Sequence, residues 1–207
     1  MYRLAELFAA VRSPAEYAGG YIGRLAELLS QIDEGAVGRM LDMLERAGAE
    51  GRTIFLAANG GSAAVAAHFV NDLVVLNCGA GSAPPYRAMA LSDNVESVMA
   101  IANDYGYAEV FSRQLRAWAR PGDVLIAISV SGNSENILRA AETMKALGGR
   151  AIGWQGFEGG RLAGLCDLAI VAPGARDEYG PVEDAFGVLS HIASGYLTMK
   201  RGGQLHH

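Results

Sequence analysis

The sequence predicts an α/β chain: a five-stranded parallel sheet flanked by helices in a three-layer, flavodoxin-like stack, with further helices ahead of it. Three observations carry this. From Gly51 onward, short apolar runs alternate with longer helical patterns. Two of those runs end in turns rich in Gly, Ser and Asn, Asn59–Ser62 and Ser129–Ser134, and each turn leads into a helical segment without a breaker. Before Gly51 no strand pattern occurs. Strands joined through helices pair in parallel with right-handed crossovers, and ligands of such sheets sit at the carboxyl ends of the strands.

Residues 1–50 read as a helical segment. Leu25, Leu28, Leu29 and Ile32 recur at helical spacing, as do Val37, Met40, Leu41, Met43 and Leu44. Ser13-Pro14 and Asp33-Glu34-Gly35 punctuate them. With no strand to cover, these helices are expected to pack on one another or on another subunit. Residues 51–201 form the sheet domain. Its first strand is Thr53–Ala58, and the second is Tyr86–Leu91, after a Gly- and Pro-rich loop, Asn77–Pro85. Asp93 or Asn94 can cap a helix through Ala102, and another helix is expected from Tyr107 to Ala119. The third strand is Val124–Ser129, followed by a helix Glu135–Leu147 that Gly148-Gly149 ends. Arg150–Trp154 and Leu168–Ala172 complete the strands, and a last helix runs from Val182 to about Lys200. Residues 202–207 read as a disordered tail, and its His206 and His207 carry no role.

Length and composition narrow the functions open to the chain. Its 207 residues suit one domain with added helix, and 51% hydrophobic content gives it a sizeable core. The formal charge is −5 with no Lys/Arg-rich run, which argues against a nucleic-acid partner. No stretch approaches a membrane span, and the start lacks an apolar leader segment, so a cytoplasmic protein is expected. Cys78 and Cys166 match no metal or redox spacing and are expected to be incidental.

Three stretches carry chemistry. In the first turn, Gly60 and Gly61 let the backbone bend sharply and approach a ligand, and Ser62 can cap the helix whose free N–H groups form an anion cradle. His68 and Asp72 follow on one face of that helix, four residues apart. The second turn presents Ser129, Ser131 and Ser134 around Gly132-Asn133, hydroxyls and N–H groups suited to a phosphate. The last helix carries Glu183, Asp184 and His191, with Glu183 and His191 less than a quarter turn apart in projection. If the two helices meet, two histidines and two carboxylates make a site for a divalent metal, zinc first.

Four stretches together, AANGGSAAVAAHF, LSDNVESVMAIANDYGYAEVFSRQL, ISVSGNSENILRA and VEDAFGVLSHI, resemble the sugar isomerase (SIS) domain family, and within it the phosphoheptose isomerases. The resemblance covers nearly the whole chain. It implies a homotetramer with active sites between subunits and an aldose–ketose isomerisation of sedoheptulose 7-phosphate through an enediol. By resemblance, Asn59, Gly60, Gly61, Asn103, Asp104, Ser129, Ser131 and Ser134 match substrate-contacting positions. His68, Asp72, Glu183 and His191 match the ligands of one zinc per subunit, and Asp72 and His191 also match the acid/base pair. Ser62 and Glu183 join the expected substrate contacts.

Two positions depart from the family's pattern. Asp72 stands where Glu is usual, so its carboxylate retreats by about 1.5 Å. Glu183 stands where Gln is usual and adds a negative charge. The stretch LVVLNCGAGSAP after Asp72 also lacks basic residues. Two other readings stay open. One is a non-catalytic SIS module that binds a phosphosugar or a partner protein, and the other is an isomerase of a different sugar phosphate. Retention of His191 favours an enzyme, whereas Asp72 favours the module.

Overall fold

A computed structural model of the chain describes residues 3–75 and 84–203. Five strands, β1 (Thr53–Ala58), β2 (Arg87–Ala90), β3 (Val124–Ser129), β4 (Arg150–Gly156) and β5 (Leu168–Ala172), form one parallel sheet in the order β2-β1-β3-β4-β5. Alternation along each strand splits the core between the two faces. Ile54, Leu56, Ile126, Ile128, Ile152 and Trp154 point to one side, while Phe55, Ala57, Leu125, Ala127 and Ala151 point to the other. The expected five-stranded parallel sheet flanked by helices is therefore the observed one.

Helices α1 (Arg3–Ala10), α2 (Pro14–Leu29) and α3 (Glu34–Ala49) precede the sheet. The Ser13 hydroxyl accepts from the Glu16 N–H and Pro14 sits at the first helical position, so α2 starts where the punctuation predicts. Asp33 caps α3 in the same way. The apolar stripe of α2 does not face outward. Leu28 is fully buried in this chain's own core, and Leu25, Leu29 and Ile32 pack against it beside α9. Periodicity marks a buried face but does not say what buries it. The large hydrophobic side chains that α1 and α2 do expose are Phe8 and Ile22.

The remaining helices are α4 (Gly60–Val75), α5 (Val95–Tyr105), α6 (Ser112–Trp118), α7 (Glu135–Ala146), α8 (Gly160–Leu165) and α9 (Tyr179–Lys200). Asn94 caps α5. Three differences from the sequence reading have local causes. The helix expected from Tyr107 to Ala119 is split into a 3₁₀ turn, Tyr107–Glu109, and α6. Ser112 closes the break by donating to both the carbonyl and the carboxylate of Glu109. Helix α8 has six residues, too few to leave a period. Helix α9 begins at Tyr179, before Gly180-Pro181, because proline fits in a first turn whose N–H groups have no intrahelical partner.

No helix among the described residues is long and apolar enough to cross a membrane. Cys166 is half-buried, and desolvation by burial, with the Asp167 charge, pushes its thiol up to about 12, so it stays protonated and inert. Cys78, most of the Asn77–Pro85 loop and the tail beyond Gly203 lie outside the described residues. Gly202 and Gly203, expected in the tail, instead close α9 by donating to Met199 and Thr198.

Candidate active site

The strand order reverses direction between β1 and β3, which makes that crevice the place where such sheets bind ligands. A cavity of about 250 Å³ lies there, walled by Asn59–Ser62 after β1, Ile128–Ser131 and Ser134 at and beyond the end of β3, and Tyr179 and Glu183 of α9. Both Gly/Ser turns therefore face one pocket.

The β3–α7 turn is open toward it. Ser134 stands at the N-cap of α7 but makes no side-chain cap bond. Its hydroxyl instead accepts from Ser129, at 3.2 Å. Ser131 accepts from the Asn133 N–H, at 3.2 Å. Gly132 has φ +63°, and a Cβ there would come within 2.0 Å of the Gly159 carbonyl, so only glycine permits this turn.

The β1–α4 turn is filled. Helix α4 begins at Gly60, so Ser62 lies inside its first turn rather than capping it. The Ser62 hydroxyl donates to the Glu183 carboxylate, at 2.9 Å. That carboxylate rests on Gly61, where a Cβ would meet it at 2.4 Å. Asn59 is clamped by a reciprocal amide pair with buried Asn136, at 3.0 and 2.8 Å, and by the Tyr107 hydroxyl at 2.8 Å.

Further along the same two helices a second cluster forms. His68 Nε2 and His191 Nε2 are 2.8 Å apart, one donating to the other, with the rings edge to face. Asp72, buried at 4% exposure, brings Oδ2 to 3.6 Å from His68 Nε2. The Ser194 hydroxyl donates to the same oxygen, at 3.1 Å. Ligand atoms of His68, Asp72 and His191 all lie within 4.8 Å of one another. Two imidazoles and a carboxylate are the donor set of a catalytic zinc site that keeps one position open. The edge of a tetrahedron with bonds of about 2.1 Å is roughly 3.4 Å, so the imidazoles need part only slightly to share an ion.

The SIS domain pattern matches residues 20–156. The chain is also 38% identical over 182 residues to the phosphoheptose isomerase of Chlorobaculum parvum, covering 87% of this chain and 83% of that protein. The chain belongs to the SIS domain family. Over 165 residues it is 42% identical to the phosphoheptose isomerase of Mycobacterium tuberculosis, covering 78% of this chain and 79% of the relative. A solved phosphoheptose isomerase structure from Neisseria gonorrhoeae superposes with a TM-score of 0.79 at 28% identity, covering 88% of this chain and 95% of that one.

In this SIS domain the site residues named from sequence fall into three groups. Asn59, Gly60, Gly61, Ser62, Ser129, Ser131, Ser134 and Glu183 wall the cavity. His68, Asp72 and His191 form the ligand cluster, without Glu183, whose carboxylate is held by Ser62. Asn103 and Asp104 are exposed at the end of α5, bonded to each other at 2.8 Å, and wall neither. Sequence reasoning missed Ser194, Asn136, Tyr107 and Tyr179. The first three act through contacts that exist only once distant segments meet.

Proposed function

We propose that this SIS-domain enzyme, a phosphosugar isomerase, interconverts sedoheptulose 7-phosphate and an aldoheptose 7-phosphate through a cis-enediol. One observation carries the reading. The cavity walled by the serine turn also has Ser62 of α4 and Glu183 of α9 in its wall, and the same two helices carry the His68/Asp72/His191 cluster. From Ser62 to His68 the rise along α4 is about 9 Å, comparable with the reach of an extended sugar phosphate. A phosphate held by Ser129, Ser131, Ser134 and the first N–H groups of α7 leaves the carbonyl end of the sugar at the cluster.

In the forward direction a base takes a proton from C1, beside the C2 carbonyl. The electron pair forms the enediol, O2 gains a proton, O1 loses one, and C2 is reprotonated to give the aldehyde at C1. Asp72 and His191 are the two proton carriers. Zinc is the metal that suits the donor set, one per subunit. Bound by His68, Asp72 and His191, it would supply Lewis-acid polarisation of the substrate oxygens. The homotetramer and the cytoplasmic setting belong to the same reading. Exposed apolar side chains such as Phe8, Ile22, Met99 and Trp118 give subunit contacts a basis.

Turnover of sedoheptulose 7-phosphate in deuterated water tests the reaction. Isomerisation with deuterium appearing at C2 of the product is expected. Tight binding without turnover at any metal supplement would return the chain to the non-catalytic reading.

A further inference from the structure

The cavity between the two turns has one charged side chain in its wall, and that charge is negative. Of its lining residues, Asn59, Ser62, Ser129, Ser131, Ser134 and Tyr179 are neutral donors, and Glu183 is the sole ionisable acid, with no Lys or Arg facing it among the described residues. Glu183 is also held in place. Its Oε1 accepts from the Ser62 hydroxyl at 2.9 Å, and its carboxylate rests against Gly61, where a Cβ would meet Oε2 at 2.4 Å. The N-terminus of a helix attracts an anion. In this chain the anion at the start of α4 is the protein's own.

We propose that Glu183 makes the cavity a one-anion site and so determines which phosphosugars it accepts. The phosphate takes the β3–α7 turn, where Ser134 leaves the first N–H groups of α7 uncapped. The α4 side presents a carboxylate and accepts hydroxyls as donors to it. A sugar with a single phosphate and a neutral polyol chain fits. One with a second anionic group, a bisphosphate or a phosphorylated sugar acid, meets a fixed like charge in a small, partly desolvated space and is rejected. This rests on the proposed phosphosugar reading, because it assumes that the serine turn holds the phosphate.

The test is equilibrium binding by calorimetry to wild type and Glu183→Gln, a change that keeps shape and removes charge. Two ligand pairs are compared: sedoheptulose 7-phosphate with its 1,7-bisphosphate, and inorganic phosphate with pyrophosphate. The second pair does not depend on which sugar the site takes. In Glu183→Gln the ligand with two anionic groups should tighten by at least about tenfold relative to its single-phosphate counterpart. An unchanged ratio in both pairs overturns the proposal, as does equal tightening of both members. Ser129→Ala separates the two levels of the argument. If inorganic phosphate binds wild type and Ser129→Ala alike, the serine turn is not the phosphate site and the underlying reading falls. If Ser129→Ala weakens phosphate while Glu183→Gln leaves the ratios alone, only the role of Glu183 falls.

Discussion

The two ends of the α4/α9 seam are built from the same pair of helices and differ in what they are made of. At the upper end, Ser62 and Glu183 meet beside two turns whose backbone conformation depends on glycine. At the lower end, His68 meets His191 and Asp72 meets Ser194, all within regular helix. The upper end offers N–H groups and hydroxyls suited to a single phosphate, beside one fixed carboxylate. The lower end offers groups that can accept, hold and release a proton, on elements rigid enough to fix them. The difference teaches where binding and chemistry separate: substitutions above should change affinity, and substitutions below should change rate.

The largest expected effect is at the lower end. Asp72→Asn keeps the volume and removes the proton acceptor, so kcat should fall by about 10²–10⁴-fold with KM little changed. Steady-state kinetics on the metal-loaded protein checks it. A variant that keeps its metal and most of its kcat would move proton transfer to His191 alone and blur the contrast between the ends. Next in size is the upper end. Hydrogen bonds to a charged group are worth about 1.5–3 kcal/mol, so Ser129→Ala with Ser134→Ala should raise KM by about tenfold or more. Because phosphate contacts bind ground and transition states alike, kcat should change far less. A double variant whose kcat falls while KM holds would make the serine turn part of the chemistry.

How much of this was readable in advance follows the same division. Strands announce themselves as apolar runs, and the Gly/Ser/Asn turns at their ends announce themselves as punctuation, so the sheet, its parallel pairing and the upper end's parts were legible from Thr53, Gly60 and Ser129 onward. The spacing of His68 and Asp72 on one helix face was equally local. Contacts across the seam were not. Glu183 and His191 share a helix face, and the sequence is compatible with the Glu183 carboxylate turning toward the histidines or toward Ser62. A side-chain rotamer decides, and tertiary packing sets the rotamer. The stripe at Leu25, Leu28 and Leu29 shows the same limit, because its period marked an apolar face without naming α9 as what covers it. Asn103 and Asp104 came from family likeness alone, and within one chain they reach neither end of the seam.

The smallest expected effect sharpens the comparison most, because it concerns a residue with no chemistry of its own. Ser194 is buried at 2% exposure and its hydroxyl has two acceptors in reach, Asp72 Oδ2 at 3.1 Å and the His191 carbonyl at 3.4 Å. The nearer one is the oxygen that also faces His68. The other oxygen of Asp72, Oδ1, accepts a long contact from the Asn71 amide, at 3.5 Å. Ser194 therefore acts through Asp72, fixing the rotation of the carboxylate so that Oδ2 faces His68. Groups that orient metal-ligand side chains are typically worth about 10–100-fold in metal affinity or activity. With a neutral hydroxyl donor, Ser194→Ala should sit at the lower bound, about tenfold in kcat and in zinc affinity measured by competition with a chelator. KM should stay within about twofold, because the phosphate end is untouched. Ser194→Thr keeps the hydroxyl and should recover both quantities. A role in packing alone would give the opposite pattern: Ser194→Ala would lower Tm while leaving kcat and zinc affinity in place, and Ser194→Thr, with a methyl group to fit into the seam, would be the worse of the two.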